Sequence, residues 1–133
     1  MDLLLYSARE SKTARRLSQA LHRIQGNLSR EHIRNLDVLV RRLRRPSVKP
    51  LAVILLAENQ TELQELVALE CWLEDFRIIL IVPDTAHETM TMGHRLRPRY
   101  LSYVHKDFSD VASVIARLSK SQQQISDESV PHA

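Results

Sequence analysis

The chain has one cysteine and two glycines in 133 residues, and only 5% aromatics. No apolar run approaches the roughly 18 residues needed to span a bilayer. Each scarcity excludes something. A lone Cys71 permits neither an internal disulfide nor a zinc cluster. It falls in the apolar stripe Leu66, Leu69, Leu73, so the expectation is a small buried thiol. A glycine-rich phosphate loop is ruled out after the first apolar run, because Ser7-Ala8-Arg9-Glu10-Ser11-Lys12-Thr13 contains no glycine. Lys12-Thr13 is then simply the start of a helix. No aromatic is interleaved with the arginines, so base stacking, and with it nucleic acid as a partner, is not indicated. The histidines (His22, His32, His87, His94, His105, His132) offer no i, i+4 pair with a third ligand nearby, so no metal site is expected. The opening Met1-Asp2-Leu3-Leu4-Leu5-Tyr6-Ser7 begins acidic and is too short for a signal peptide. A cytoplasmic protein is expected.

What is present is a regular alternation. With 44% hydrophobic residues, the chain can bury one core. One domain over residues 1–120 is expected, followed by a polar tail over 121–133, rich in Gln and Ser, that has little to bury and is expected to be disordered. Leu3 to Ser7 is a continuous apolar run, as in a strand covered on both faces. Ser11 is placed to cap a helix carrying Ala14, Leu17, Ala20, Leu21 and Ile24, which Gly26-Asn27 would close. Glu31 to Arg34 reads either as a short second strand or as the start of the next helix. Leu36, Leu39, Val40 and Leu43 form a helical stripe that stops at Pro46. Leu51 to Ala57 and Arg77 to Val82 are strands with the composition of central parallel strands. Between them lies one helix with Leu63, Leu66, Val67, Leu69 and Leu73, capped by Asn59 or Thr61. A less regular helix over about Ala86 to Leu96, a strand Tyr100 to Val104 and a helix with Phe108, Val111, Val114, Ile115 and Leu118 complete the order. Alternating strands and helices predict an α/β fold, a flavodoxin-like doubly wound five-stranded parallel sheet of order 2-1-3-4-5 with helices on both faces.

Tyr103-Val104-His105-Lys106-Asp107-Phe108 with the helix behind it, and the strand led by Lys49-Pro50, resemble the corresponding parts of a response-regulator receiver domain. Lys106 falls on that family's invariant lysine. The resemblance implies a phosphate-acceptor aspartate at the end of the third strand, an acidic metal-binding pair after the first and a hydroxyl after the fourth. At those places stand Leu56 or Ala57 followed by Glu58, then Tyr6-Ser7-Ala8-Arg9-Glu10, then Val82-Pro83. Phosphoryl transfer to a carboxylate needs a metal and an in-line nucleophile. The resemblance therefore implies a degenerate pseudo-receiver, not an enzyme and without cofactor, whose vestigial site is Glu10, Ala57, Glu58 and Lys106. A small anion or nucleotide at the carboxyl ends of the strands is the alternative.

Charge supplies the other expectation. Helices of such a sheet end opposite the strands' carboxyl ends. Arg23, Arg41, Arg42, Arg44, Arg45, Lys49, His94, Arg95, Arg97 and Arg99 should therefore gather on one basic rim, while Glu58, Glu62, Glu65, Glu70, Glu74 and Asp75 load the third helix. Such a rim fits an acidic protein partner. Receivers commonly pair through the last strand and its flanking helices, and Met90, Met92, Leu96, Tyr100 and Tyr103 suggest a homodimer there.

Overall fold

Two central strands, β3 (Ala52–Leu56) and β4 (Ile78–Val82), are buried at every residue, which is why their sequences carry no alternation. The structure, a computed structural model, describes residues 2–24, 29–45 and 49–129, with side chains through residue 120. β3 and β4 are flanked by β1 (Asp2–Ser7), β2 (Ser29–Ile33) and β5 (Tyr100–Tyr103) in one all-parallel sheet of order β2-β1-β3-β4-β5. The arrangement is flavodoxin-like.

Alternate residues of each strand feed two separate cores. Leu3, Leu5, Ile54, Leu56, Ile79 and Ile81 pack with Leu17 and Leu21 of α1 (Lys12–His22) and with Val111 and Ile115 of α6 (Ser109–Ser129). Leu4, Tyr6, Val53, Leu55, Leu80 and Val82 pack under α2 (Leu36–Leu43), α3 (Gln60–Val67), α4 (Glu70–Leu73) and α5 (His87–His94). Burying each such aliphatic side chain is worth about 1.5–3 kcal/mol relative to leaving it in water. Gly93 lets α5 lie close to the sheet, since a Cβ there would stand 3.1 Å from Leu101 and 3.2 Å from Leu80.

β2 is a strand although only Ile33 is buried in it. As an edge strand it needs one inward contact and its hydrogen bonds to β1. Ser11 caps α1, and Asn35 and Asn59 cap α2 and α3. α1 ends at His22; Gly26-Asn27 and Pro46 lie outside the described residues. α6 runs to Ser129, and residues 130–133 lie outside the described residues.

The expectation of a buried Cys71 is corrected. The single helix read from the stripe breaks at Ala68-Leu69, where Leu69 leaves helical geometry (φ −95°, ψ 14°). The four-residue α4 that follows keeps Leu73 inside but turns Cys71 and Trp72 outward, so the thiol is exposed. Among the described residues no helix is long and apolar enough to cross a membrane.

Candidate functional site

The order 2-1-3-4-5 places a crevice between the carboxyl ends of β1 and β3, because the chain leaves β1 toward one edge and returns on its other side. Arg9 and Ser11 enter it from the β1 loop, and Glu58, Asn59 and Glu62 from the β3 loop. Asn59 Oδ1 accepts from the Glu62 N–H at 2.9 Å, while Glu62 reaches back and accepts from the Glu58 N–H at 2.9 Å. This reciprocal cap needs a side-chain amide or hydroxyl followed three residues later by Glu. The Glu62 side chain is only 9% exposed, and its Oε2 accepts from Arg9 Nη2 at 2.6 Å and Nε at 3.2 Å. The Glu62 carboxylate raises Arg9 further above its already high ordinary range, chiefly through that hydrogen bond. Ser11 Oγ donates to Glu58 at 3.0 Å and also accepts from the Ala14 N–H.

The third strand ends in aliphatic side chains. Leu56 and Ala57 are both fully buried, and the Ala57 N–H donates to the Ile81 carbonyl at 2.9 Å. Glu58 is half-buried and tied to Ser11; Glu10 is exposed. Lys106 does not join them. Its Nζ lies 3.4 Å from Asp110 Oδ2 and 5.6 Å from the Tyr103 ring, and the Asp110 carboxylate raises its pKa. Arg16 of α1 fixes the same loop by donating to the Val104 carbonyl at 2.7 Å and the Lys106 carbonyl at 3.3 Å.

Asp110 is a hub the sequence reading missed. Its Oδ2 accepts from Tyr100 Oη (2.8 Å), Ser102 Oγ (3.0 Å) and Lys106, while its buried Oδ1 has no partner among the described residues. Burial pushes this carboxyl up, but the Tyr100 and Ser102 hydroxyls, the Val111 N–H and Lys106 outweigh it, so it sits below the ordinary carboxylate range. Ser7 was missed too. It is 1% exposed, and its Oγ is 2.6 Å from His32 Nε2 on the neighbouring strand. Burial, then Arg34 and Arg30, hold His32 below its ordinary value. For Glu62 a signal existed, the Asn59-x-x-Glu62 cap spacing, and for Asp110 the i, i+4 spacing from Lys106; its bonds to Tyr100 and Ser102 join α6 to β5 and Ser7–His32 joins two strands, so neither leaves a local pattern.

At the fourth strand, Asp84 accepts from the Ala86 N–H at 2.9 Å and from Gln60 at 3.3 Å, and Gln60 also donates to the buried Thr89. Among the described residues no three His, Cys, Asp or Glu side chains are grouped so as to hold a metal ion.

At the opposite end of the sheet the rim is divided. Arg41, Arg44 and Arg45 are exposed, and Arg42 is half-buried 3.1 Å from Glu31. Arg44 lies 5.4 Å from the Trp72 ring centre. Arg95 pairs with Glu70 at 3.2 Å, so the acids of α4 interrupt the basic surface. Arg97, in the left-handed region at φ 49°, and Arg99 form a separate exposed group. Met90, Met92 and Tyr103 are half-buried against one core, Tyr100 against the other, and Leu96 is 4% exposed.

No known protein-family model and no curated protein sequence matches the chain.

Proposed function

We propose that this chain is a receiver-like module that works by protein contact without phosphorylation, and that its basic rim meets an acidic protein partner. The observation that carries the reading is the closed crevice between β1 and β3. Where phosphotransfer needs free carboxylates around a metal and a nucleophile, Glu62, the one buried acid among the described residues, is bound to Arg9 and to the β3 loop backbone. Glu58 is held by Ser11, and Lys106 by Asp110. By contrast the exposed Arg41 and Arg45, on α2 and just after it, form no ion pair among the described residues. Pairing of two copies along β5, the other edge of the sheet, belongs to the same proposal.

Intact-mass analysis after acetyl phosphate and magnesium tests the first part: no adduct is expected. A single added phosphoryl group that is lost in Glu58→Gln overturns it. Photo-crosslinking in the host cell, from a benzophenone residue placed at 41, 45, 97 or 99 against 10, 58 or 106, tests the second. Protein adducts are expected from the rim; adducts confined to the carboxyl ends of the strands overturn the reading. Light scattering tests pairing: a dimer mass that Tyr103→Glu halves is expected, and a monomer at all concentrations removes it.

A further inference from the structure

β2 lies at one end of the sheet and pairs only with β1 among the described residues, so its outer row of N–H and C=O groups has no strand beside it. Edges of this kind accept extended peptides as an added strand. Beside this edge runs a cleft of about 230 Å³ lined by Glu31, Val38, Arg41, Arg42 and Arg45. Its composition specifies an occupant. Three arginines face one glutamate. Val38, 41% exposed, is one of the two large apolar side chains left exposed among the described residues.

The face of β2 on which this cleft lies follows from the strand alternation. Ile33 is buried with Leu39 and Leu43 beneath α2, so Glu31, two residues away, points to the same side. Its Oε2 is 3.1 Å from Arg42 Nε, yet that buried N–H makes no hydrogen bond. The pair is a charge contact without hydrogen-bond geometry, so Glu31 does not fully satisfy the basic side of the cleft. Arg30 and His32 point to the other side, where Arg30 already donates to the Ser18 carbonyl and His32 meets Ser7.

Resting on the partner-contact reading above, we propose that an extended acidic segment of a partner protein adds beside β2 as a sixth strand. Its main chain pairs with the free edge. Its alternate side chains place carboxylates on Arg41, Arg42 and Arg45 and an apolar group on Val38. The charges on this edge repel indiscriminate strand pairing, so an acidic strand is selected as much by exclusion of others as by attraction.

A fluorescein-labelled octapeptide Glu-Thr-Val-Thr-Glu-Thr-Glu-Thr, whose Glu and Val residues share one face of a strand, titrated with the whole chain by fluorescence anisotropy, tests this. Binding that weakens at least about tenfold in Arg41→Gln/Arg45→Gln is expected, with little change in Arg95→Gln/Arg97→Gln/Arg99→Gln. A peptide with Lys in place of Glu should not bind. The Glu–Val peptide N-methylated at alternate amides should lose binding, because it cannot complete a strand ladder. Absence of Glu–Val binding, indifference to N-methylation, or loss only in the Arg95, Arg97 and Arg99 variant overturns the groove. In those cases rim crosslinks from positions 97 and 99 would still leave the partner-contact reading standing, whereas adducts only from 10, 58 or 106 would remove both. Unchanged thermal melts of the arginine variants confirm that folding is not what is being read.

Discussion

The crevice between β1 and β3 and the rim along α2 use the same two residue types to opposite effect. In the crevice one arginine faces two glutamates, and the acid that matters, Glu62, is buried, doubly bonded to Arg9 and bonded again to the backbone. On and just after α2, Arg41 and Arg45 are exposed and form no ion pair among the described residues, Arg44 lies over the Trp72 ring, and the nearest ion pair, Arg42 with Glu31, lacks hydrogen-bond geometry. Charges that are desolvated and satisfied inside the chain hold the fold. Charges left without internal partners are free for another molecule. In the proposed reading, the crevice between β1 and β3 serves the fold, and the side remote from it is the one that meets a partner.

The sharpest way to break that contrast is Glu62→Ala. It strips Arg9 of its partner, leaves the Glu58 N–H without an acceptor and weakens the start of α3. A loss of about 2–3 kcal/mol in urea unfolding is expected. Glu62→Gln, which retains an acceptor for the backbone, should lose about half as much. If both variants unfold within the error of the native chain, the crevice is not structural.

Asp110 supplies a second test at the same end of the sheet. Asp110→Ala abandons the hydroxyls of Tyr100 and Ser102 and frees Lys106, at an expected cost of about 1–2 kcal/mol near neutral pH. The folded chain holds this carboxyl below its unfolded value of about 3.9. Its contribution is therefore complete above that value and lost as pH falls through the lower folded one. The variant's deficit should shrink below about pH 4. Asp84 and Asp107, held low by Thr89 and by the Ser109 N–H respectively, keep some acid sensitivity in both proteins. A deficit that stays constant down to pH 2 would show that Asp110 acts by packing alone.

The sequence carried the fold because the signals that set it are local. Four apolar runs, the Ser11 cap and the Lys49-Pro50 lead into β3 gave the element order, and the order implies the sheet. β2 stayed ambiguous because an edge strand with one buried residue has no periodicity to read. Cys71 was misplaced because it stands two residues from both Leu69 and Leu73, off the face those leucines share, and Leu66 and Leu73 remain buried on that face across the turn at Ala68-Leu69. The site was half legible. Lys106 and Glu58 follow β5 and β3 as the element order implies; the Lys106–Asp110 pair stands at i, i+4, whereas Ser11 meets Glu58 between two loops distant in sequence, which no spacing reveals.

His32 gives a gentler contrast, on the edge strand itself. Burial and the neighbouring Arg34 and Arg30 depress its pKa, so the folded chain disfavours its charged form. The unfolded chain takes up a proton near pH 6.5, and stability present above that value is lost as pH falls toward the folded one. Unfolding free energy should decline modestly from pH 7 to pH 5, and His32→Gln should remove that decline. A slope unchanged by the substitution would assign it to other groups.

The smallest stability effect is expected where the binding effect is largest. Arg41 and Arg45 are exposed, and neither forms an ion pair among the described residues; Arg41 Nε only reaches the Asp37 carbonyl at 3.4 Å. Arg41→Gln/Arg45→Gln should therefore leave unfolding within about 0.5 kcal/mol of the native chain. Arg44→Gln, which loses the Trp72 stacking, should cost up to about 1 kcal/mol. Arg42→Gln should exceed the Arg41/Arg45 pair, because its side chain is only 11% exposed and faces Glu31. Urea unfolding of the series decides it. If the Arg41/Arg45 pair costs as much as Glu62→Ala, the rim is as structural as the crevice, and the division of labour between the two ends of the sheet is wrong.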